Sequence, residues 1–514
     1  MEQILKINGE LVDIDKKTAI GIDFQKYNIK RPESRYVPVS NSFTIPLTPR
    51  NKLITGFAGD VQSISQIPYS QLTCDYWVGE LDVIRNGYAK INGVSNRISM
   101  FAADKASIWE TLKNFDWIAF QQSFLLWLQN NKGVPSISAP FIGSFSSFLN
   151  NYTNPTEGLI LPYYLSNMLD FPGTEDLTTI FLQYYNTGNA GNGGHWCIYI
   201  NDVFEYIQDY LGVDISVGDA GLPYNIFEDA IVKAMYTPMK NIMLVHTGSG
   251  FYFEFRSDVP FLPDEDIFAQ YEDKTLYDFV NVFFKYFNCL IDESKTDDGS
   301  SKYKIRRFDD ITSAEVETFS GRWDGVPSYS PSIKNWKQNN YIKFSSIYEG
   351  GASTVNSKYI ECKNRNIDVG TPSESLFDIK HYIPSQVIDA GDTITNMSPS
   401  ETMKDFTFFI SEGFRTTNIR SEDVTLNTAA AKILQKARIY ELASEYQTIE
   451  NILEYPKFYE FSKWLTLNEI YNLEYFKLYF IPELNGNFFI NKIAGFNPVK
   501  STQATKLELI NIPK

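Results

Sequence analysis

The opening hundred residues alternate apolar and polar positions with a period of two. The segments ILKING, AIGIDF, NSFTIPL and KLITGF each put branched or aromatic residues on one face, which predicts short β-strands. In NSFTIPL, Phe43, Ile45 and Leu47 share the face to be buried, while Thr44 and Pro46 point the other way. Pro32, Pro38, Pro46 and Pro49 withhold ladder donors, so these strands are short, edge-like or entered at a bend. Asn51 and Lys52 are expected to turn the chain into a strand over KLITGF. Asn86-Gly87 and Asn92-Gly93 separate LDVIR, YAKI and VSNRISMF. Asn-Gly supplies the two positive-φ positions of a type I′ turn, so an antiparallel meander is expected. Asn485-Gly486 near the other end is a third such signal.

The period changes to helical at four places. In WIAFQQSFLLWLQ (117–129), Trp117, Phe120, Phe124 and Leu128 fall on one stripe. NDVFEYIQDYLG (201–212) carries Val203, Phe204, Ile207, Tyr210 and Leu211 on one face, with Asn201 or Asp202 as cap and Gly212 as the left-handed stop. Near 275–288, Leu276, Phe279, Val280, Phe283, Phe284 and Phe287 form a broad apolar stripe, followed by a hairpin of CLIDE with KYKIRRF. Residues 427–454 read as helix, most clearly AAAKILQKARIYELA. Residues 320–425 return to strands, and the stretch from LEYFKLYF to the final LELINI is strand–turn–strand. The fold class is therefore α+β, mainly antiparallel β, with helix-plus-hairpin units in the middle.

A chain of 514 residues exceeds one compact core, and two to four domains are expected. The punctuation suggests 1–120 as a β-barrel-like domain, 121–200 as a mixed insertion and 201–320 as a helix-and-hairpin domain. A β-rich domain over 321–425 follows, then a helix with barrel-like strands over 426–514. Hydrophobic residues make up 43% and charged residues 21%, which excludes a disordered chain. The 15% aromatic content favours half-buried sheet surfaces and protein contacts.

The net charge of −16 gives no mean field for binding phosphate backbones. The dense basic run KIRRF (304–308) alternates and reads as a solvated strand face. MEQILKINGELVDID has charges within its apolar stretch and is not expected to act as a signal peptide. No apolar run of about 18 residues is present to span a bilayer.

Catalytic signatures are sparse. Cys74, Cys197, Cys289 and Cys362 lie tens of residues apart and read as small buried residues rather than as a metal or redox motif. The histidines His195, His246 and His381 form no metal-protease pattern. His195 and Cys197 in GGHWCIYI share a strand face, which alone does not make a nucleophile–base pair. TGNAGNGG (187–194) lacks phosphate-loop spacing and reads as a loop. DESKTDDG (292–299) lacks the glutamate that an EF-hand places at position twelve and reads as a hairpin tip. Asp264, Glu265 and Asp266 after Pro263 suit a helix start. No catalytic, metal or cofactor residue is assigned, and no cofactor is expected.

Four segments, in order, resemble tailed-bacteriophage tail proteins of the baseplate-hub family. They are NSFTIPLTPRNK (41–52), WVGELDVIRNGYAKI (77–91), the helix-and-hairpin 276–310, and the closing stretch 465–512 with NFFINKI and LELI. The matching positions are Phe43, Pro46, Asn51, Asn86, Gly87, Phe279, Phe283, Phe488, Phe489, Ile490, Lys492 and Ile493. The resemblance covers about half of the chain. It implies two small β-barrels packed with mixed α/β domains. It also implies a non-enzymatic virion subunit, assembled in the host cytoplasm, that links the tail tube to the tail tip. The implied partners are copies of itself, a trimer before a hexamer, and other tail proteins of tube, tip and fibre. DNA would pass through an acidic channel without specific binding. A distal-tail or other connector ring is the alternative within that class. A tail-associated glycan- or cell-wall-degrading protein, or a receptor-binding one, is the alternative outside it.

Overall fold

The computed structural model describes residues 2–15, 18, 20–25, 39–79, 81–103, 111–142, 159–160, 197–215, 217, 225–233, 235–239, 242–247, 250–255, 273–295, 301–312, 316–332, 336–346, 358–369, 375–381, 406, 408–414, 435–439, 446–474, 477–499 and 503–513. His195, the 187–194 loop, the 264–266 cluster and the tip 296–299 lie outside them.

The amino-terminal strands are β1 (Gln3–Ile7), β2 (Glu10–Leu11), β3 (Ile22–Phe24), β4 (Val39–Ser40), β5 (Phe43–Pro46), β6 (Leu72–Val78), β7 (Leu81–Val94) and β8 (Arg97–Ala103). β5 follows the expected alternation, with Phe43 and Ile45 buried and Thr44 exposed, and it pairs with β8. KLITGF is not a strand. Residues Pro49–Ile54 form helix α1, because Thr48 caps it through Asn51 N and Pro49 occupies its first turn.

Nor do the first two Asn-Gly pairs make hairpin turns. β7 runs through both of them. The ladder with β6 slips between Cys74 and Tyr76, opposite Asn86-Gly87, and the ladder with β8 slips between Ile91 and Gly93. The positive φ of 51° at Asn86 serves a β-bulge instead. The turns lie elsewhere. One is at Gly79, between the paired Val78 and Leu81, and another is at Asn8-Gly9, where both residues have positive φ between β1 and β2.

The central part contains α2 (Trp117–Asn131), β9 (Leu159–Ile160), β10 (Cys197–Tyr199), α3 (Ile200–Leu211), α4 (Ala230–Lys233), β11 (Met235–Pro238), β12 (Ile242–Thr247) and β13 (Gly250–Phe255). It continues with α5 (Leu276–Phe287), β14 (Cys289–Lys295), β15 (Ser301–Arg307) and α6 (Phe308–Thr312). α3 ends at the left-handed Gly212 as expected, but its N-cap is Tyr199, whose side chain does not cap it, rather than Asn201 or Asp202. α5 starts with a reciprocal capping box of Thr275 and Asp278. Its whole apolar stripe is buried, and Phe279 stacks at 5.4 Å from Trp117 of α2. Each such ring contributes about 1.5–3 kcal/mol through burial.

After β16 (Val316–Thr318) and β17 (Trp323–Ser330) come β18 (Asn339–Ser346), β19 (Lys358–Glu361), β20 (Ser375–His381), β21 (Phe409–Phe414) and β22 (Gln435–Ile439). Within the 427–454 stretch expected to be helical, the described residues are 435–439 and 446–454, and helix is found there at α7 (Gln447–Glu454). QKARI within that stretch is strand β22, paired with β21, because a ladder partner overrides helix propensity there. The chain closes with β23 (Phe458–Lys463), α8 (Leu467–Tyr471), β24 (Leu478–Ile481), β25 (Gly486–Phe496) and β26 (Thr505–Asn511). Asn485, with φ 47°, ends the β24–β25 loop, so this third Asn-Gly pair does lie in a hairpin connection.

The two ends of the chain share one 14-stranded sheet, in which β25 pairs with β3. Among the described residues, its pairings are antiparallel except that of β16 with β24. The fold is thus α+β and mostly antiparallel. Each terminal meander curls over its own core. One holds Phe43, Ile45, Cys74, Ile84 and Met100, and the other holds Phe461, Ile481, Phe488, Ile490 and Ile493. The aromatic centre, with Phe279 and Phe283, forms a third and larger core.

Candidate functional site

The seam between β3 and β25 brings the most signature residues together. Ile493 faces Phe24 and Phe496 faces Ile22 across it, with a slip between the two pairs. Asp23 spans the slip. Its Oδ1 accepts from Gly495 N at 2.6 Å, and its Oδ2 pairs with Lys492 Nζ at 2.8 Å. Phe24 packs against both terminal cores, and its ring lies 6.2 Å from that of Phe496. Asp23 and Phe24 carry no sequence signal beyond membership in AIGIDF, because their partners lie at the other end of the chain.

Within β25, neighbouring side chains point to opposite faces. Phe488 enters the carboxy-terminal core, while Phe489 enters the central core and meets Phe308 edge-on at 5.2 Å. Asn491 is extra in the ladder with β26, and its Nδ2 donates to Glu508 Oε2 at 3.2 Å. The bulge shifts the alternation, so that Ile490 and Ile493 both reach the same core.

The other signature positions do not meet at the seam. Phe43 is under Met100 in the amino-terminal core. The carbonyl of Pro46 accepts from Asn51 Nδ2 at 2.9 Å, and Asn51 is wholly buried. Gly87 lies where an added Cβ would come within 2.3 Å of the Ala103 carbonyl oxygen. Phe279 and Phe283 are central-core rings.

Charged groups are used as structural partners. In and beside KIRRF, Arg307 pairs with Asp229 at 2.7 Å and Lys302 with Asp214 at 2.7 Å. Asp309 caps α7 from another element, accepting from Gln447 N and Thr448 N at 3.0 and 2.9 Å. Burial pushes the neighbouring Asp310 carboxyl up, against the pull of Arg307. Lys463 is fully buried, 4.1 Å from the Phe319 ring centre and 2.9 Å from Glu469 Oε1. Burial pushes the Glu469 carboxyl up, but bonds from Lys463 and Thr466 outweigh it and hold it below the usual range. Burial pushes Tyr206, inside the aromatic core, up to about 12. Among the described residues, no three His, Cys, Asp or Glu side chains are grouped to hold a metal. No described helix is long and apolar enough to cross a membrane. The arrangement joins sheets and cores.

Among the described residues, the main path of the large sheet ends at β17 and β2, while β16 and β5 end its side branches. β17 is interrupted between Asp324 and Ser328 by Gly325, Val326 and Pro327, and Val326 is 91% exposed. A bulge with a proline blunts an edge against strand addition.

No protein-family model and no curated protein matches the sequence. The solved structures similar over the full chain include two prophage tail proteins. The 43 kDa tail protein of prophage MuSo2 from Shewanella oneidensis is 9% identical, with 98% of that chain covered and a TM-score of 0.35. The prophage tail protein gp18 from Listeria monocytogenes EGD-e is 8% identical, with 95% of that chain covered and a TM-score of 0.34.

Proposed function

We propose that this chain is a structural subunit of a bacteriophage tail, a baseplate-hub or adaptor protein whose copies form a ring between tail tube and tail tip. The observation that carries the reading is the convergence of three of the four signature segments on one continuous sheet. NSFTIPL and LDVIRNGYAKI supply one meander of it, NFFINKI and LELI supply the other, and β3 joins them. Such a framework suits a part that holds its shape under load. The blunted edge at β17 directs assembly towards side-chain contacts rather than ladder extension. Copies related by rotation close into a ring without leaving free interfaces. The net charge of −16 suits a lumen that repels DNA and lets it slide.

Cryo-electron microscopy of assembled tails, with native mass spectrometry of the purified chain, tests this. The expected result is a ring at the tube–tip junction and a particle of three times 58.9 kDa, or six times in the hexameric form. A chain that stays monomeric and is absent from tails would overturn it.

A further inference from the structure

The segment between α1 and β6 forms one wall of a groove of about 610 Å³, and residues 88–94 of β7 form the facing wall. That volume lies within the usual range of ligand clefts, roughly 300–1,000 Å³. The wall is built rigidly. Ser63 Oγ donates to Gly56 O at 2.8 Å, Ser63 Oγ in turn accepts from Ser65 N at 3.3 Å, and Ser65 Oγ accepts from Ile67 N at 3.2 Å. Gly59 is so close to Val94 that an added Cβ would stand 2.8 Å from Val94 Cγ1. The groove is therefore preorganised by its own backbone.

Its chemistry is mixed. Tyr69, 87% exposed, and Tyr88, held edge-on against Phe101, present aromatic surface. Asp60, Gln71, Lys90 and Asn92 add a carboxylate, two amides and an ammonium. One oxygen of Asp60 accepts from Gln62 N, and Asn92 Nδ2 donates to Ser42 Oγ; each side chain keeps a further oxygen. Asp60 and Lys90, the two charged residues in the lining, cancel.

We propose that this groove binds a neutral oligosaccharide. Sugar rings offer apolar C–H faces to tyrosines and hydroxyl groups to carboxylates and amides, which is the inventory present. The balanced charge selects neither an anionic nor a cationic ligand. An extended peptide is disfavoured, because the bulge at Asn92 breaks the regular ladder that strand addition along β7 requires.

The full chain is titrated with neutral trisaccharides of glucose, galactose, rhamnose and N-acetylglucosamine, followed by saturation-transfer NMR and calorimetry. At least one should bind, and Tyr69→Ala and Asp60→Asn should each weaken it about tenfold with unchanged thermal unfolding. Tyr329→Ala, on the exposed face of β17, should leave it unaltered. Absence of binding by all four sugars would overturn the proposal. So would binding that survives both groove variants, or a strand-forming peptide that binds there in place of every sugar.

Discussion

The side chain of Asn51 pairs with the backbone of Asp13 as a neighbouring strand would. Its Oδ1 accepts from Asp13 N at 2.9 Å and its Nδ2 donates to Asp13 O at 2.8 Å. A second bond from Nδ2 reaches Pro46 O, and the Asp13 carboxylate accepts from Thr48 Oγ1 at 2.6 Å. One buried amide thus ties β5, α1 and the strand-like run after β2 together. Asn51→Ala leaves three backbone groups without their partner. It is expected to cost about 3 kcal/mol, read from urea unfolding. A loss under about 0.5 kcal/mol, the size of an ordinary surface change, would show that water replaces the amide.

Gly87 and Gly93 both follow asparagine at a bulge of β7, yet they differ in surroundings. A Cβ at Gly87 would collide with the Ala103 carbonyl and Ile84 Cγ2, whereas a Cβ at Gly93 meets nothing within 4 Å. Gly87→Ala should therefore destabilise by about 2 kcal/mol or more, and Gly93→Ala by less than about 0.5 kcal/mol. Equal melting temperatures for the two variants would contradict this.

Phe43 is 3% exposed, opposite Met100. Phe43→Asp puts an unpaired carboxylate into that core, a change of several kcal/mol. The amino-terminal meander should fail to fold, giving insoluble protein. Recovery of soluble protein with unchanged thermal unfolding would place residue 43 at the surface instead.

Glu469 links stability to pH. Its folded carboxyl is held below the ordinary value, so its contribution is complete above the unfolded value of about 4.3. The contribution is lost as pH falls through the lowered folded value. Its side chain is 39% exposed, so the amount is modest. Glu469→Gln should flatten the acid side of the stability curve. Glu469→Ala should cost more at neutral pH, because it also strips the buried Lys463 of its partner and α8 of its capping box. Identical acid limbs for wild type and Glu469→Gln would refute the linkage.

Local features of the sequence forecast local structure well. The period-two face of Phe43 and Ile45 and the stripe from Leu276 to Phe287 both appear as read. Thr48-Pro49 was a legible helix start, and Asn8-Gly9 a legible turn, each hidden behind a stronger-looking neighbouring pattern. The Asn-Gly pairs in β7 were ambiguous for a physical reason. A bulge and a tight turn both use positive φ, and only the position of the partner strand decides between them. QKARI was illegible because its partner β21 lies outside any local window. The seam and the groove were illegible for the same reason. Asp23 acquires its role from Lys492 and Gly495, and the groove from the apposition of two distant walls.

The bond between Asp23 and Gly495 joins residues 472 positions apart. On a ribosome adding about 5–20 residues per second, β3 waits roughly 25–95 s for its partner. Until then β3 is paired on one side only, with β4, and Phe24 has only one of its two cores. Completion of the sheet is therefore a late event that requires synthesis through β25. A chain terminated before residue 486 would lack β25, and its unfinished margin would mark it for chaperones and proteases.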